Sequence, residues 1–260
     1  MYLLIDIGNS TVVCAVAGDD GGIVKTWRFD TIKDQTPVYY IDNLVSGLES
    51  HGVKANDIEA TAISSVVPEI NGRVAEVVYR VTKSVPRFFT VADVFPLLNV
   101  DVENPEQVGK DRLADAVGAI KCYGCPAIII DMGTATTIGI VDHDRKFVGG
   151  MIIPGVKTGH RALCERASQL AEIDTWEAKH IVGRNTEECL QSGVIYGTAC
   201  MIDGIIDRLA SQFGTRFNIV ATGGMSSVIV PYCTHNIQID KHLLLKGIYH
   251  AVIASKSNRK

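Results

Sequence analysis

Leu3-Leu4-Ile5-Asp6-Ile7-Gly8-Asn9-Ser10-Thr11 and Ile128-Ile129-Ile130-Asp131-Met132-Gly133-Thr134-Ala135-Thr136 are two copies of one pattern. Each is an apolar run rich in β-branched residues, then Asp-x-Gly, then hydroxyls. The runs predict buried strands, and each glycine marks a turn where the backbone changes direction. A second β-rich run follows each copy, at 12–17 and 137–141, then a polar turn at 18–22 and 142–146. A third strand is expected at 23–29 and at 147–153, so each half opens with a β-meander.

Outward from the first meander, apolar periodicity predicts a helix over 38–52, a buried strand over 60–66, a helix over 70–82 and a strand over 87–91. The second half continues in the same order. It has a helix over 157–170, a linker, a long helix over 186–212, a strand over 217–221 and a last helix over 241–254. Asn185 is a suitable N-cap with Glu188 three residues on, and Gly214 a suitable stop. Strand triplets followed by alternating helices and strands predict two α/β domains, 1–115 and 116–260, joined within a helix that starts near Asp111.

With 260 residues and 47% hydrophobic content, the chain can bury a sizeable core. A formal charge of −4 supplies no basic field, so neither nucleic acid nor an anionic membrane is an expected partner. A phosphate-bearing ligand must therefore be held locally. The opening Met1-Tyr2-Leu3-Leu4-Ile5-Asp6 has no basic leader, and no later apolar run is read as long enough to span a bilayer, so a cytoplasmic protein is expected. Seven cysteines at scattered spacings predict reduced thiols, and the lone Cys122-x-x-Cys125 is no zinc signature.

An Asp-x-Gly turn suits nucleotide phosphate: glycine lets the backbone approach, turn amides and hydroxyls donate to phosphate oxygens, and the carboxylate can hold a hydrated cation. A single copy reads equally as an ordinary hairpin turn. Two copies, each opening one half of a duplicated chain, favour a nucleotide-clamping protein. Ala221-Thr222-Gly223-Gly224-Met225 follows an apolar strand and offers bare backbone to a flat base or ribose. There is no GxGxxG, GxxxxGK[ST] or GxSxG. Between the halves, Asn104-Pro105-Glu106-Gln107-Val108-Gly109-Lys110-Asp111-Arg112 delivers adjacent opposite charges to a helix start. Asp111 is either a first-turn acid complementing the helix dipole or a base that accepts the proton of an attacking hydroxyl. Arg112 beside it can orient a carboxylate or stabilise a transferring phosphoryl group.

These segments, with Ile63-Ser64-Ser65-Val66-Val67-Pro68, Gly149-Gly150-Met151-Ile152-Ile153-Pro154-Gly155, Asn185-Thr186 and Gln191-Ser192-Gly193, resemble in order the motifs of the bacterial type III pantothenate kinases. These are members of the actin-like superfamily of acetate and sugar kinases. The resemblance implies duplicated actin-like (ribonuclease H-like) domains, mixed sheets flanked by helices and a nucleotide cleft between the halves. It further implies Asp111 as general base; pantothenate contacts from Gly109, Lys110, Asp111, Arg112 and Thr186; and ATP contacts from Asp6, Ile7, Gly8, Asn9, Ser10, Thr11, Val12, Val13 and Thr134. Magnesium with ATP is implied near Asp6, a monovalent cation (potassium or ammonium) at Asp131, and a homodimer. The chain departs from the family pattern at Val102, where a substrate-contacting Tyr is common, at Lys110 in place of a small residue, and at Met132 in place of Phe. His160 is expected to face solvent. Two alternatives stay open: a related small-molecule kinase, and a non-catalytic ATP-binding regulator.

Overall fold

The computed structural model describes residues 1–95 and 97–257, and the side chains of the last helix as far as residue 252. In chain order the elements are β1 (Tyr2–Ile7), β2 (Thr11–Ala17), β3 (Ile23–Asp30), α1 (Pro37–Ser50), β4 (Ala60–Ser65), α2 (Pro68–Thr82), β5 (Arg87–Phe88), β6 (Asn99–Val100) and α3 (Lys110–Cys122). There follow β7 (Ala127–Met132), β8 (Ala135–Val141), β9 (Lys146–Pro154), α4 (Val156–Arg166), α5 (Thr186–Phe213), β10 (Asn218–Thr222), α6 (Ser226–Ile229), β11 (Gln238–Ile239) and α7 (Leu243–Ser257).

The chain separates into two compact units, 1–121 together with the segment from His242 onward, and 122–241. This division differs from 1–115 and 116–260 chiefly in its last element, because α7 belongs to the first unit. It packs on β1 and β4 there. The ring of Tyr249 meets Tyr2 edge-on at 5.2 Å, and its hydroxyl donates to Asp19 O at 2.7 Å. The helix backbones press together where glycines permit: a Cβ on Gly118 would overlap the Leu243 carbonyl, and one on Gly247 the Ala114 carbonyl. In the second unit the hydroxyl of Tyr123 donates to Asp240 Oδ2 at 3.0 Å, tying the unit's first residues to its last.

The duplication holds in detail. The first unit's strands lie in the order β3-β2-β1-β4-β5, and those of the second run β9-β8-β7-β10-β11. β1 is antiparallel to β2 and parallel to β4, as β7 is antiparallel to β8 and parallel to β10. Each meander carries a register shift at the same place, Val16/Ala17 against β3 and Ile140/Val141 against β9. One difference matters for the site. The turn between the first two strands covers 8–10 in the first unit and only 133–134 in the second.

In the first unit Leu3, Ile5 and Ile7 of β1 join Val12, Cys14 and Val16 of β2 in a core with Tyr40, Leu44 and Leu48 of α1 and Ile70, Val74 and Val77 of α2. Alternation puts Leu4, Ala15 and Ala62 on the opposite face, also buried, which is why these strands read as continuous apolar runs. In the second unit Ile128, Ile130, Met132 and Ile138 pack on Ile195, Ala199, Ile202 and Ile206 of α5.

Helix α5, Asn-capped and ending at Gly214 with φ 62°, is by length and composition apolar enough to cross a bilayer, contrary to the reading that no run reaches that length. Its inner side lies in the core, and the buried Asp203 midway along it accepts from Thr234 N at 2.8 Å and His235 N at 3.3 Å. The strand expected over 87–91 stops at Phe88. A capping box, in which Thr90 N and Oγ1 donate to Asp93 Oδ2 at 2.8 and 2.9 Å, turns the chain there.

Candidate active site

Asp6 stands one residue before the end of β1, opposite Val13, and is half-buried. The side chains of Ile7 and Val12, 0% and 1% exposed, run into the core, so these two positions present backbone only. Asn9 and Ser10 are exposed. The turn is held from behind: Gly8 N donates to Thr11 O at 3.1 Å, Thr31 Oγ1 to Gly8 O at 2.7 Å, and Thr31 N to Ser10 O at 3.0 Å. A Cβ on Gly8 would stand 3.2 Å from the Thr11 oxygen. The result is a rigid turn with amides and hydroxyls on its outer side, the chemistry of a phosphate cradle.

The second turn is built more tightly. Met132 is fully buried, while Gly133 and Thr134 are exposed. The Thr134 carbonyl accepts from Gly155 N at 3.1 Å and from Thr158 Oγ1 at 2.8 Å. A Cβ on Gly155 would overlap the carbonyl oxygens of both Gly133 and Thr134. Asp131 lies between Thr137 of β8 and Thr222 of β10. Gly223, at φ +83°, backs onto it so closely that a Cβ would overlap Asp131 Oδ1. Met225 N then donates to Met132 O at 3.2 Å. Three glycine-bearing segments, 131–134, 154–155 and 222–224, thus converge at one end of the second sheet.

At the start of α3, Leu113 N donates to Gly109 O at 3.2 Å and Asp111 Oδ1 accepts from Arg112 N at 2.8 Å. Asp111 is therefore a first-turn acid, and its half-buried carboxylate stays within reach of a ligand as well. Burial pushes the Arg112 guanidinium below its ordinary pKa, and the neighbouring Asp111 opposes the shift; arginine remains a cation there. Leu113, Ala116 and Val117 of the same helix are core, each at 0% exposure. Thr186 is exposed in the first turn of α5, where Asn185 Oδ1 accepts from Glu188 N at 2.9 Å and Glu188 Oε2 from Arg184 N at 2.8 Å.

The assigned residues therefore fall into four places. The turn after β1 (6–13) and the α3 start (109–112) belong to the first unit; the turn after β7 (131, 134) and the α5 start (186) belong to the second. Sequence reasoning missed the residues that fix these turns, Thr31 and Thr158, because each acts on a turn more than twenty positions away, with separations of 23 and 24. It missed Asp115, a 2%-exposed acid one turn after Asp111, whose only signal is a charge inside an apolar run. His160 is corrected: it is 4% exposed and packs edge-on against Trp176, because α4 turns that side toward the segment after it.

Duplicated sheets of one order, each with an Asp-x-Gly turn between its first two strands, define an actin-like fold of the ATPase and sugar-kinase type. A glucokinase of the ROK family from Streptomyces griseus superposes with TM-score 0.54 over 98% of this chain and 99% of its own, at 16% identity. A protein from Campylobacter jejuni described as a Baf family transcriptional activator superposes with TM-score 0.60 over 98% and 99% of the two chains, at 18% identity. At such identities the likeness concerns the fold. In sequence, a type III pantothenate kinase from Halalkalibacterium halodurans is 35% identical over 254 residues, 95% of this chain and 97% of its own length. The family pattern described as type III pantothenate kinase matches residues 2–208. The chain belongs to the type III pantothenate kinase family.

Proposed function

We propose that this chain transfers the γ-phosphoryl group of ATP to the primary hydroxyl of pantothenate, giving 4′-phosphopantothenate, the first step toward coenzyme A. The observation that carries the reading is the family match running through both glycine turns and the Gly109-Lys110-Asp111-Arg112 helix start. The exposed backbone and hydroxyls of 8–11, with Thr134, bind ATP phosphates. Ile7 and Val12 contribute only main chain. Asp111 accepts the proton of the pantothenate hydroxyl as it attacks, and Arg112 orients the substrate and neutralises charge on the transferring group. Lys110 and Thr186 complete the pantothenate contacts. Lys110 places a second cation where the family carries a small residue, and Val102 leaves the usual tyrosine contact to other groups.

Asp6, a half-buried carboxylate beside exposed Asn9 and Ser10, suits a hydrated divalent cation that shares its shell with phosphate oxygens. Magnesium bound with ATP would supply charge neutralisation there. Asp131 is backed by glycine on one side and threonines on its neighbouring strands, an oxygen-rich setting that suits a monovalent cation, potassium or ammonium. A homodimer in the cytoplasm, with neither nucleic acid nor membrane as partner, completes the proposal.

The test is mass-spectrometric detection of phosphopantothenate from purified protein, ATP, magnesium and pantothenate, with potassium, ammonium or sodium only. Product that requires potassium or ammonium supports both the reaction and Asp131. ATP turnover indifferent to pantothenate would point to another small-molecule kinase, and folded protein with no turnover under any cation would leave the regulator reading.

A further inference from the structure

Helix α4 is covered along one narrow line. Val156 and His160 are buried and Cys164 half-buried, at i, i+4 and i+8, while the rest of the helix is exposed. From that line hangs the irregular segment 167–185, which leads into Asn185 and Thr186. His160 Nε2 accepts from Ile173 N at 3.1 Å. Cys164 Sγ donates to Ala171 O at 3.4 Å and stands 3.6 Å from the same His160 Nε2. Beyond this knot the helix meets the segment through the His160 ring against Trp176 at 5.5 Å, Ala167 N donating to Leu163 O at 3.0 Å, an exposed ion pair of Arg161 with Glu172 at 3.8 Å, and Lys157 over the Trp176 ring at 5.6 Å.

The imidazole has one lone pair at Nε2, and the Ile173 amide uses it. Its proton therefore resides on Nδ1, which is buried with no hydrogen-bond partner among the described residues. The ring is 4% exposed, so a donor is held dry beside a half-exposed thiol. Such an orphan is uncommon in folded proteins and calls for a reason. Here it leaves the ring with a single anchor, Nε2, and that nitrogen is also the base within reach of the thiol proton. If Nε2 takes this proton, the Ile173 amide loses its acceptor. If Sγ carries a substituent, Ala171 O loses its donor. A substituent on the sulfur thus removes the Ala171 tie outright and, standing 3.6 Å from Nε2, crowds the ring that holds the Ile173 tie.

We propose that Cys164 is a thiol-modification site at which a small disulfide releases residues 167–185 from helix α4. The thiol proton passes to His160 Nε2, the sulfur attacks one sulfur of the disulfide, and the reagent's S–S bond breaks as a new one forms. The departing thiolate takes up the proton. One thiol and one disulfide give one mixed disulfide and one thiol. Any effect on turnover rests on Thr186 contacting pantothenate, so the decisive readouts do not use activity.

The experiment treats the purified protein with glutathione disulfide, maps adducts by peptide mass spectrometry and follows hydrogen exchange. Cys122, Cys189 and Cys200, all exposed, are reference thiols in the same molecule. The expected result is an adduct on Cys164, with exchange at the Ile173 amide accelerated about tenfold or more and restored by dithiothreitol. Cys164→Ser should keep exchange at its untreated rate in the presence of the reagent. A Cys164 that stays unmodified while the exposed cysteines react would overturn the proposal, as would an adduct on Cys164 with unchanged exchange at Ile173. An adduct that frees the segment but leaves the KM for pantothenate unchanged would uphold the site and refute the role of Thr186.

Discussion

Replacing Gly155 with alanine should disable the 133–134 turn, proposed to hold phosphate, while leaving the rest of the fold in place. The added methyl has no room, because it would overlap the carbonyl oxygens of Gly133 and Thr134, both main-chain atoms that cannot swing aside. Either the start of α4 or the 133–134 turn must move. Overpacking of this kind costs about 1–3 kcal/mol. Weakening the Gly155 N–H bond to Thr134 O, now 3.1 Å, adds about 0.5–1.5 kcal/mol. A loss of roughly 2–4 kcal/mol corresponds to a fall in Tm of about 4–16 °C for a chain of this size class. Displacing Thr134 from ATP should raise the KM for ATP about tenfold or more, the equivalent of a single weakened phosphate contact. Gly72→Ala is the matched control. It lies exposed in α2, and a Cβ there meets nothing within 4 Å. That variant should gain about 0.5–1 kcal/mol and keep its KM. Thermal unfolding and initial rates at varied ATP measure both. Gly155→Ala with wild-type Tm and wild-type KM for ATP would refute the packing argument and the role of Thr134 together.

Asp111→Asn should fold normally, since an amide oxygen can still accept from Arg112 N, but lose about 10²–10⁴ in kcat; near-wild-type turnover sinks the base assignment. Asn185→Ala removes the α5 cap and should cost about 1 kcal/mol of stability, with the KM for pantothenate rising more than the KM for ATP; equal changes in both would detach Thr186 from the substrate. His250 in α7 titrates below its ordinary value through burial and the nearby Lys121 and Lys246. Between its folded and unfolded pKa the unfolded chain binds the extra proton, so stability should fall as pH drops below about 6.5. His250→Asn should flatten that part of a Tm-versus-pH curve, and an unchanged slope argues against the assignment.

Much of the fold was legible because its signals are local. Both meanders, the major helices, the Asn185 cap and the Gly214 stop follow from periodicity and turn residues a few positions apart. The two Asp-x-Gly turns were legible for a further reason: they are two copies of one longer pattern in one chain, which hairpins formed by chance would not be. What escaped depends on distant partners. Nothing near Gly247 says that it meets Ala114, so the sequence places α7 with its neighbours in the chain rather than with β1 and β4. His160, between Gly159 and Arg161, reads as exposed, but its Nε2 is claimed by the Ile173 amide thirteen residues on. Ile7 and Val12 sit inside the turn proposed to hold phosphate, and only the packed structure shows that both side chains run into the core.

The return of α7 to the first unit has a consequence for how the protein is made. The ribosome delivers 122–241 whole, with Tyr123 and Asp240 both present to join its ends, before it delivers the helix that covers β1 and β4. The unit begun first is thus completed after the second. Until α7 emerges, Leu4 of β1 and Ala62 of β4 lack the helix that packs on their strands, so the growing chain carries apolar residues that the folded one buries. A stop codon shortly before Leu243 would spare the second unit and strand the first in that unfinished state, the half that carries Asp6 and Asp111.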